Sequence, residues 1–438
     1  MAGTSNPETI STRLRRVAEL SRKSSDMVWT TLAHHIDLDF LKEAYRLVRK
    51  DGAVGVDEQT AEEYAVNLEE NLKSLENRFK SGSYKAPPVR RASIPKGDGK
   101  DTRTIGIPTF EDKILQRAVT MVLEAVYEQD FLDCSYGFRP GRSAHQALDS
   151  FWRKGMWMGG GHVLKLDIEK YFDMVDHAQL RSFLDRRVRD GVIRRTINKW
   201  LKAGVLQEQK DNVGTPQGGV ISPLLANIYL HEVLDTWFER MVRPNLEEDA
   251  FLIRYADDAT LVFSLKEDAD KVLKALPKRL QAFGLRMHPE KTRLIRFTRP
   301  GPKSGKDGPH HPGTFDLLGF THYWGKSRKK QWVIKRRTAR DRFSRSLKNV
   351  ANWCRTHRHM DVLEQQQKLE IKLLGHYRYF GITGNHASLQ RFHYEVKRIW
   401  RKWLSRRSQK GRMPWWRFQE LLKRYPLPEP RIVKPAVT

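Results

Sequence analysis

Three aspartates stand out for the company they keep: Asp167 and the adjacent pair Asp257-Asp258. Asp167 closes a short β-like run, His-Val-Leu-Lys-Leu-Asp-Ile, at residues 162–168. The pair follows Phe251-Leu252-Ile253-Arg254-Tyr255 and precedes a second apolar run, Ala259 to Phe263. Read alone, Asp-Asp is an ordinary turn dipeptide. Between two apolar arms, however, a tight strand-turn-strand normally takes Gly or Asn, and two like charges side by side repel. A compensating cation makes sense of the pair. Carboxylates from two neighbouring strands offer hard oxygen ligands, the donor set that holds two divalent ions about 4 Å apart across the attacking and leaving oxygens of a phosphoryl transfer. Asp167, Asp257 and Asp258 are therefore the candidate catalytic residues.

To position them the chain needs a sheet. Residues 251–263 read as a β-hairpin with its acids at the tip, 162–168 as a strand beside it, and Arg293 to Phe297 as another strand. Lys266 to Phe283 and Phe110 to about Tyr127 have helical spacing. Between Asp37 and Leu75 two or three helices are expected, broken by a turn at residues 50–57. Pro87-Pro88 stops that helical region, and Val89 to Ile94 alternates like a strand leading into Pro95-Lys96-Gly97-Asp98-Gly99-Lys100. Strands interleaved with helices, without a Rossmann glycine fingerprint, predict an α+β sheet domain. Gly159-Gly160-Gly161 lacks a following Lys-Ser/Thr and reads as a flexible turn, not a P-loop. Residues 300–312 have the composition of an exposed loop, and beyond Arg340 the chain becomes helical, basic and aromatic, ending in a Pro-rich extended tail from Pro426.

Charge narrows the function class. The 438 residues carry 80 Lys and Arg against 52 Asp and Glu, a formal net charge of +28. That excess suits a protein that tracks a phosphate backbone, where each neutralised phosphate releases condensed counterions; a basic surface for anionic membranes is the alternative. Cys134 and Cys354, the two cysteines, form no Cys-x-x-Cys pair, which argues against a zinc ribbon or a disulfide framework. A polar N-terminus and the lack of a long apolar run leave a cytoplasmic or nucleoid setting, with no membrane partner, as the expectation.

Six segments, in order, carry a resemblance. Arg254-Tyr255-Ala256-Asp257-Asp258 looks like the Tyr-x-Asp-Asp box of reverse transcriptases, in the form typical of group II intron-encoded proteins, and residues 166–173 (Leu-Asp-Ile-Glu-Lys-Tyr-Phe-Asp) resemble the first palm motif of that family. Residues 214–227, Gly-Thr-Pro-Gln-Gly-Gly-Val-Ile-Ser-Pro-Leu-Leu-Ala-Asn, match its nucleotide-binding motif. Ser135 to Ser143, His288-Pro289-Glu290-Lys291-Thr292 and Leu317-Leu318-Gly319-Phe320 complete the set across roughly residues 50 to 325.

The resemblance implies a right-hand polymerase, with fingers and palm built on an antiparallel sheet and followed by an α-helical thumb or maturase domain. The implied segments are 1–85 (N-terminal extension and start of the fingers), 86–325 (fingers and palm), 326–404 (helical thumb) and 405–438 (a short basic DNA-binding tail). Asp167 and Asp257 would be metal ligands, the backbone carbonyl of Ile168 would complete one shell, and Asp258 would be a ligand or close electrostatic support. The implied cofactor is Mg²⁺, two ions, with Mn²⁺ as a possible substitute. Phe172 matches a steric gate against the ribose 2′-OH, although a ring at a strand-to-helix junction also fits a core. Lys96 and Arg103 match basic residues that grip the triphosphate, although a solvated charged turn has the same composition. Gln217 and Gly218 would face the incoming nucleotide. Lys291 resembles a lysine near the active site and could act as a general acid toward pyrophosphate, or be a surface charge. Gly55-Val56-Asp57 resembles the extra fingers segment of non-retroviral members.

Arg139 and Arg142, with Lys329, Lys330, Arg336 and Arg337 of the basic stretch 326–345, are the candidate nucleic-acid contacts. Residues 375–381 resemble the thumb, and Arg406 to Phe418 the end of a DNA-binding region. No paired cysteines or His-Asn-His pattern follow, so an endonuclease domain is not expected; His310-His311, His357 and His359 read as solvated residues. The function implied is RNA-directed DNA synthesis on a primer 3′-OH from dNTPs, with RNA template, DNA or RNA primer, group II intron RNA and target DNA as partners. A domesticated enzyme of phage defence or DNA repair, or an RNA-binding splicing factor without polymerase activity, are the alternatives.

Overall fold

The computed structural model describes residues 9–95, 102–203, 218–301, 312–408 and 412–434. The chain folds as two compact units, Met1–Leu294 and Ile295–Thr438.

The first unit opens with four helices, and the starts of the first three are written in their capping residues. Thr9 caps α1 (Ile10–Lys23), Asp37 accepts from the Phe40 N–H at the head of α2 (Leu38–Leu47), and Thr60 and Glu63 form a reciprocal capping box on α3 (Ala61–Val66). α4 (Leu68–Ser81) buries Leu72, Leu75 and Phe79, a single stripe at helical spacing. The hairpin of β1 (Arg90–Pro95) and β2 (Thr102–Ile107) follows, in antiparallel register from Arg90↔Ile107 to Pro95↔Thr102. Next comes α5 (Phe110–Tyr127), against which α1 and α2 pack. It is apolar on most sides, with Ile114, Leu115, Ala118, Val119, Val122 and Val126 all fully buried, so it serves as the axis of this half of the core.

The segment 55–57 is pinned to this axis. A Cβ on Gly55 would stand 2.5 Å from Thr109 Cα, while Lys113 and Arg90 donate to the carbonyls of Ala53 and Val54.

After α6 (Ala144–Met158), Gly159 ends the helix in a left-handed conformation, so the triple glycine is a helix stop leading into β3 (His162–Leu166). The short α7 (Tyr171–Met174), α8 (His177–Asp185), α9 (Gly191–Ala203) and α10 (Ser222–Leu230) precede two π-helical stretches, His231–Asp235 and Trp237–Val242. The chain returns as β4 (Ala250–Tyr255), β5 (Asp258–Phe263), α11 (Lys266–Gln281) and β6 (Arg293–Arg296). The four strands make one sheet in the order β4-β5-β3-β6, with β5 antiparallel to both β4 and β3. β4 and β5 are buried along almost their whole length, which explains why both read as continuous apolar runs instead of alternating ones.

The second unit begins with a three-stranded antiparallel meander, β7 (Phe315–Leu317), β8 (Phe320–Lys326) and β9 (Trp332–Thr338). Leu318 and Gly319, at φ 50° and 81°, are the two central residues of the β7–β8 turn, so the Leu-Leu-Gly-Phe match is a tight hairpin of the primed kind. This sheet corrects the start of the helical segment expected at 326–404. Lys326 to Thr338 is a strand, a turn and a strand, and the proposed limit at 325/326 falls inside β8. The alternation was present, but basic residues occupy both faces of β9, Arg336 inward and Arg337 outward, and that hides the period.

α12 (Arg340–Thr356), α13 (Val362–Phe380), α14 (His386–Leu404) and α15 (Trp415–Arg424) complete the unit, in the region expected to be helical. The buried Asn385 ties them to the sheet: it exchanges bonds with Thr338 and donates to the carbonyl of Phe380. Among the described residues, no helix is long and apolar enough to cross a membrane.

Candidate active site

The β4–β5 hairpin turns on two residues, Ala256 and Asp257, closed by the pair Tyr255↔Asp258. Ala256 sits at φ 57°, where an L side chain is strained by roughly 1–2 kcal/mol, and the surrounding structure must hold it there. On the other side of β5, the ladder with β3 ends at Leu166↔Ala259, so Asp167 lies one step beyond, opposite Asp258. Two strand ends thus bring the three carboxylates to one edge of the sheet. Lys165, two residues before Asp167, reaches across the same face to Asp258 Oδ1 at 2.5 Å and to Thr260 Oγ1 at 3.1 Å. Asp258 is therefore paired with a lysine, which sequence reasoning missed; in hindsight its signal was the i, i+2 spacing to Asp167.

Three other matched segments converge on this edge. Ser135 runs beside β4: Arg254 N–H donates to the Cys134 carbonyl at 2.7 Å, and Tyr136 N–H to the Arg254 carbonyl at 2.9 Å. Gly137 then passes so close to the turn that a Cβ there would lie 2.3 Å from the backbone nitrogen of Ala256. His288 N–H donates to the Asp167 carbonyl at 2.8 Å, while Thr292 Oγ1 accepts from the Asp167 N–H at 3.3 Å. The His-Pro-Glu-Lys-Thr segment is thereby the clamp on the backbone of Asp167, and Ile168, buried, bridges to Met287 beside it. Asn227, the last residue of the glycine-rich match, donates to the Gly137 carbonyl at 2.7 Å.

Arg254 joins these pieces. It is fully buried and spends all five N–H groups: two on Asp235 (2.7 and 2.6 Å), one each on Asn227 Oδ1 (2.9 Å), Ser135 Oγ (2.7 Å) and the carbonyl of Ala256 (3.0 Å). Burial alone would push its pKa down, but the Asp235 carboxylate beside it outweighs this and holds the guanidinium above its ordinary value. The strand residue before the Tyr-x-Asp-Asp box is thus the hub that fixes the strained turn.

The remaining candidates divide. Phe172 is half-buried on α7, 5.3 Å edge-on to Tyr171, whose hydroxyl donates to the Ala226 carbonyl of α10 at 2.7 Å. Gly218 packs onto β2, where a Cβ would lie 2.4 Å from Ile105; Gln116 of α5 accepts from Val220 N–H just beyond. Lys291 is exposed next to the Asp167 clamp. Arg103 pairs with Ile94 in β2, and Lys96 and Gln217 lie outside the described residues.

Arg139 is a correction. Its side chain is 3% exposed and its guanidinium is taken up by Glu128 and by the carbonyls of Leu132, Ser135 and Phe131, so it has no donor to offer a phosphate. Arg142 reaches the exposed Asp133 at 2.6 Å and stays partly open. Lys329 and Lys330 are exposed in the β8–β9 turn, Arg337 is exposed over the Tyr323 ring, and Arg336 is buried in β9, which removes it from the candidate contacts.

The fit to divalent ions can be judged on the donors. Among the described residues no three His, Cys, Asp or Glu close on one point. Mg²⁺ does not need such a cage: it commonly takes one or two carboxylates, keeps waters and shares substrate phosphates. Asp167 and Asp257 suit that role. Asp258, already paired with Lys165, suits it less, in keeping with its lower standing on sequence grounds.

An antiparallel sheet with carboxylates at two adjacent strand ends, a glycine-rich segment tied to Arg254 behind their turn and a following unit of a small sheet and four helices defines a polymerase of the α+β right-hand class. Residues 94–376 match the family model described as reverse transcriptase (RNA-dependent DNA polymerase), and the chain belongs to that family. Its relatives include intron-encoded proteins. It is 40% identical over 227 residues to the group II intron-encoded protein LtrA of Lactococcus lactis subsp. cremoris, covering 50% of this chain and 37% of that protein. Protein YkfC of Escherichia coli is 36% identical, over 48% of this chain and 58% of its own length. Nuclear intron maturase 2 of Arabidopsis thaliana is 28% identical, over 53% and 37%. The matched region spans less than two thirds of each relative. A telomerase structure from Candida albicans is 15% identical at a TM-score of 0.41, covering 78% of this chain and 63% of that one.

Proposed function

We propose that the chain is an RNA-directed DNA polymerase that extends a primer 3′-OH with dNTPs and works with a group II intron RNA. The observation that carries this reading is the antiparallel register that aligns Asp167 with Asp258 beside the Asp257 turn. Asp167 and Asp257 would hold divalent ions, two of Mg²⁺ on this reading. When bound, those ions would make the primer hydroxyl a better nucleophile and stabilise charge on the leaving pyrophosphate.

The chain's own residues position the reactants. Arg254 and Gly137 keep the Ala256-Asp257 turn in its strained form, so the Asp257 carboxylate is preorganised and need not reorder at each turnover. The Thr292 and His288 contacts do the same for Asp167. Lys165 balances Asp258 and limits the repulsion that three carboxylates at one edge would create. Phe172 is assigned as the gate that disfavours ribonucleotides, and Lys291, Lys96, Arg103, Gln217 and Gly218 as the nucleotide-facing set. The intron RNA partner and target DNA are carried over from the resemblance to intron-encoded proteins such as LtrA.

Primer extension on poly(rA)/oligo(dT) with Mg²⁺ tests the reading. Wild type should incorporate dTTP, Asp257→Ala should fall to background, and Phe172→Ala should gain incorporation of the ribonucleotide relative to the deoxynucleotide. Undiminished extension by Asp257→Ala would sink the mechanism, and ready use of rNTPs by the wild type would remove the gate.

A further inference from the structure

In the second unit, the ends of α12 and α14 meet around a hollow of about 580 Å³ lined by Arg355, Thr356, Arg358, Trp403 and Arg406. Its walls are fixed. Gln365 of α13 donates to the carbonyls of His357, Arg358 and Met360, and it accepts from the Trp400 indole of α14 at 2.9 Å. Arg407 donates across to the carbonyls of Arg358 at 2.6 Å and of Met360. These bonds lock the turn after α12 to the end of α14.

What lines the hollow is one-sided. Three arginines and one tryptophan share the lining, and none of the three arginines has a carboxylate partner among the described residues. Arg355 donates to Asn352 Oδ1, and Arg358 to the Arg355 carbonyl; Arg406 lies 5.4 Å from the Trp403 ring centre. Complementing a helix C-terminus accounts for one basic residue in the last turn. It does not account for three arginines, one in the last turn of α12 and two in the turns after α12 and α14, lining one hollow beside an indole, which concentrates positive charge at a cost in self-repulsion. An anionic ligand with a flat ring removes that cost. The hollow is open to solvent on one side, as a site reached by a single strand must be, and indole and guanidinium planes both stack on nucleobases.

We propose that this hollow binds one unpaired nucleotide of a single strand, its base against Trp403 and its flanking phosphates on Arg355, Arg358 and Arg406. The identity of the ligand rests on the reading of the chain as a nucleic-acid enzyme; the site itself shares no residue with the aspartate edge.

The test uses the full chain without dNTPs, so loss of polymerase activity in Asp257→Ala and loss of this site are read separately. Oligouridylate and oligodeoxythymidylate 12-mers, each with one 5-iodouracil, are photocrosslinked and the adduct mapped by mass spectrometry; anisotropy gives the affinities. Crosslinks are expected on Trp403 or within 353–358. Arg355→Gln/Arg406→Gln, confined to exposed side chains, should weaken the single strands at least fivefold and flatten their salt dependence. A duplex of equal length should change less than twofold. Trp403→Leu should weaken the single strand and lose the adduct. Comparing the two oligomers separates RNA from DNA as the source. Wild-type affinity in the double variant, adducts only elsewhere, or an equal loss on the duplex would each overturn the site.

Discussion

Arg254 and Arg139 are both arginines from segments that match nucleic-acid enzymes, and both are buried with all their donors spent inside the protein. Their type suggests phosphate; their surroundings make them struts. For Arg254 the consequence is measurable. Removing one member of a buried ion pair leaves the other charge uncompensated, a loss of about 3–5 kcal/mol. Arg254→Met is expected to lower the denaturant midpoint accordingly, because Asp235 is fully buried beside it. Arg254→Met/Asp235→Leu should recover part of that loss. It should not recover primer extension, since the bond to the Ala256 carbonyl is still missing. Equal destabilisation in single and double variants would count against the uncompensated charge as the cause.

At the level of elements, α5 carries a buried acid with a sign that can be worked out. Asp112, in its first turn, accepts from the Trp200 indole of α9 at 3.3 Å. Burial, with the Asp57 carboxylate adding to it, pushes its pKa from 3.8 to about 7. The folded state therefore keeps a proton that the unfolded chain has released between about pH 4 and 7. Stability from this group falls as pH rises through that window and levels off above it. Asp112→Asn keeps an acceptor for Trp200 and removes the titration. It is expected to raise the melting temperature over wild type at pH 8 and to match it near pH 4. A gain independent of pH would rule out the acid as its source. Elements also show what was legible. The hairpin 250–263, the helices at 110 and 266 and the strand at 293 follow from spacing and caps that act within a few residues. The β7–β9 meander was hidden because its buried positions include arginine and histidine, whose partners come from elsewhere in the chain.

Over the whole molecule the +28 charge sets how binding responds to salt. A footprint of six to ten phosphates implies an affinity for primer-template lower by about 10³-fold or more at 200 mM than at 50 mM salt. A change below tenfold, read by anisotropy across that range, would mean that the basic surface is not used for the backbone.

Asp167, Asp257 and Asp258, with the order of the segments around them, were fixed by residue type and local spacing, because strands, turns and caps are short-range. The sequence also determined the charge that a nucleic-acid partner would meet. Only the tertiary structure decided that Lys165 pairs with Asp258, that Arg254 holds the turn, that Arg139 is internal, and that Arg355, Arg358 and Arg406 line one hollow with Trp403. Each of these joins residues from separate elements. Long-range hydrogen bonds and burial decide whether a charged side chain faces solvent or completes the core, and composition cannot distinguish the two.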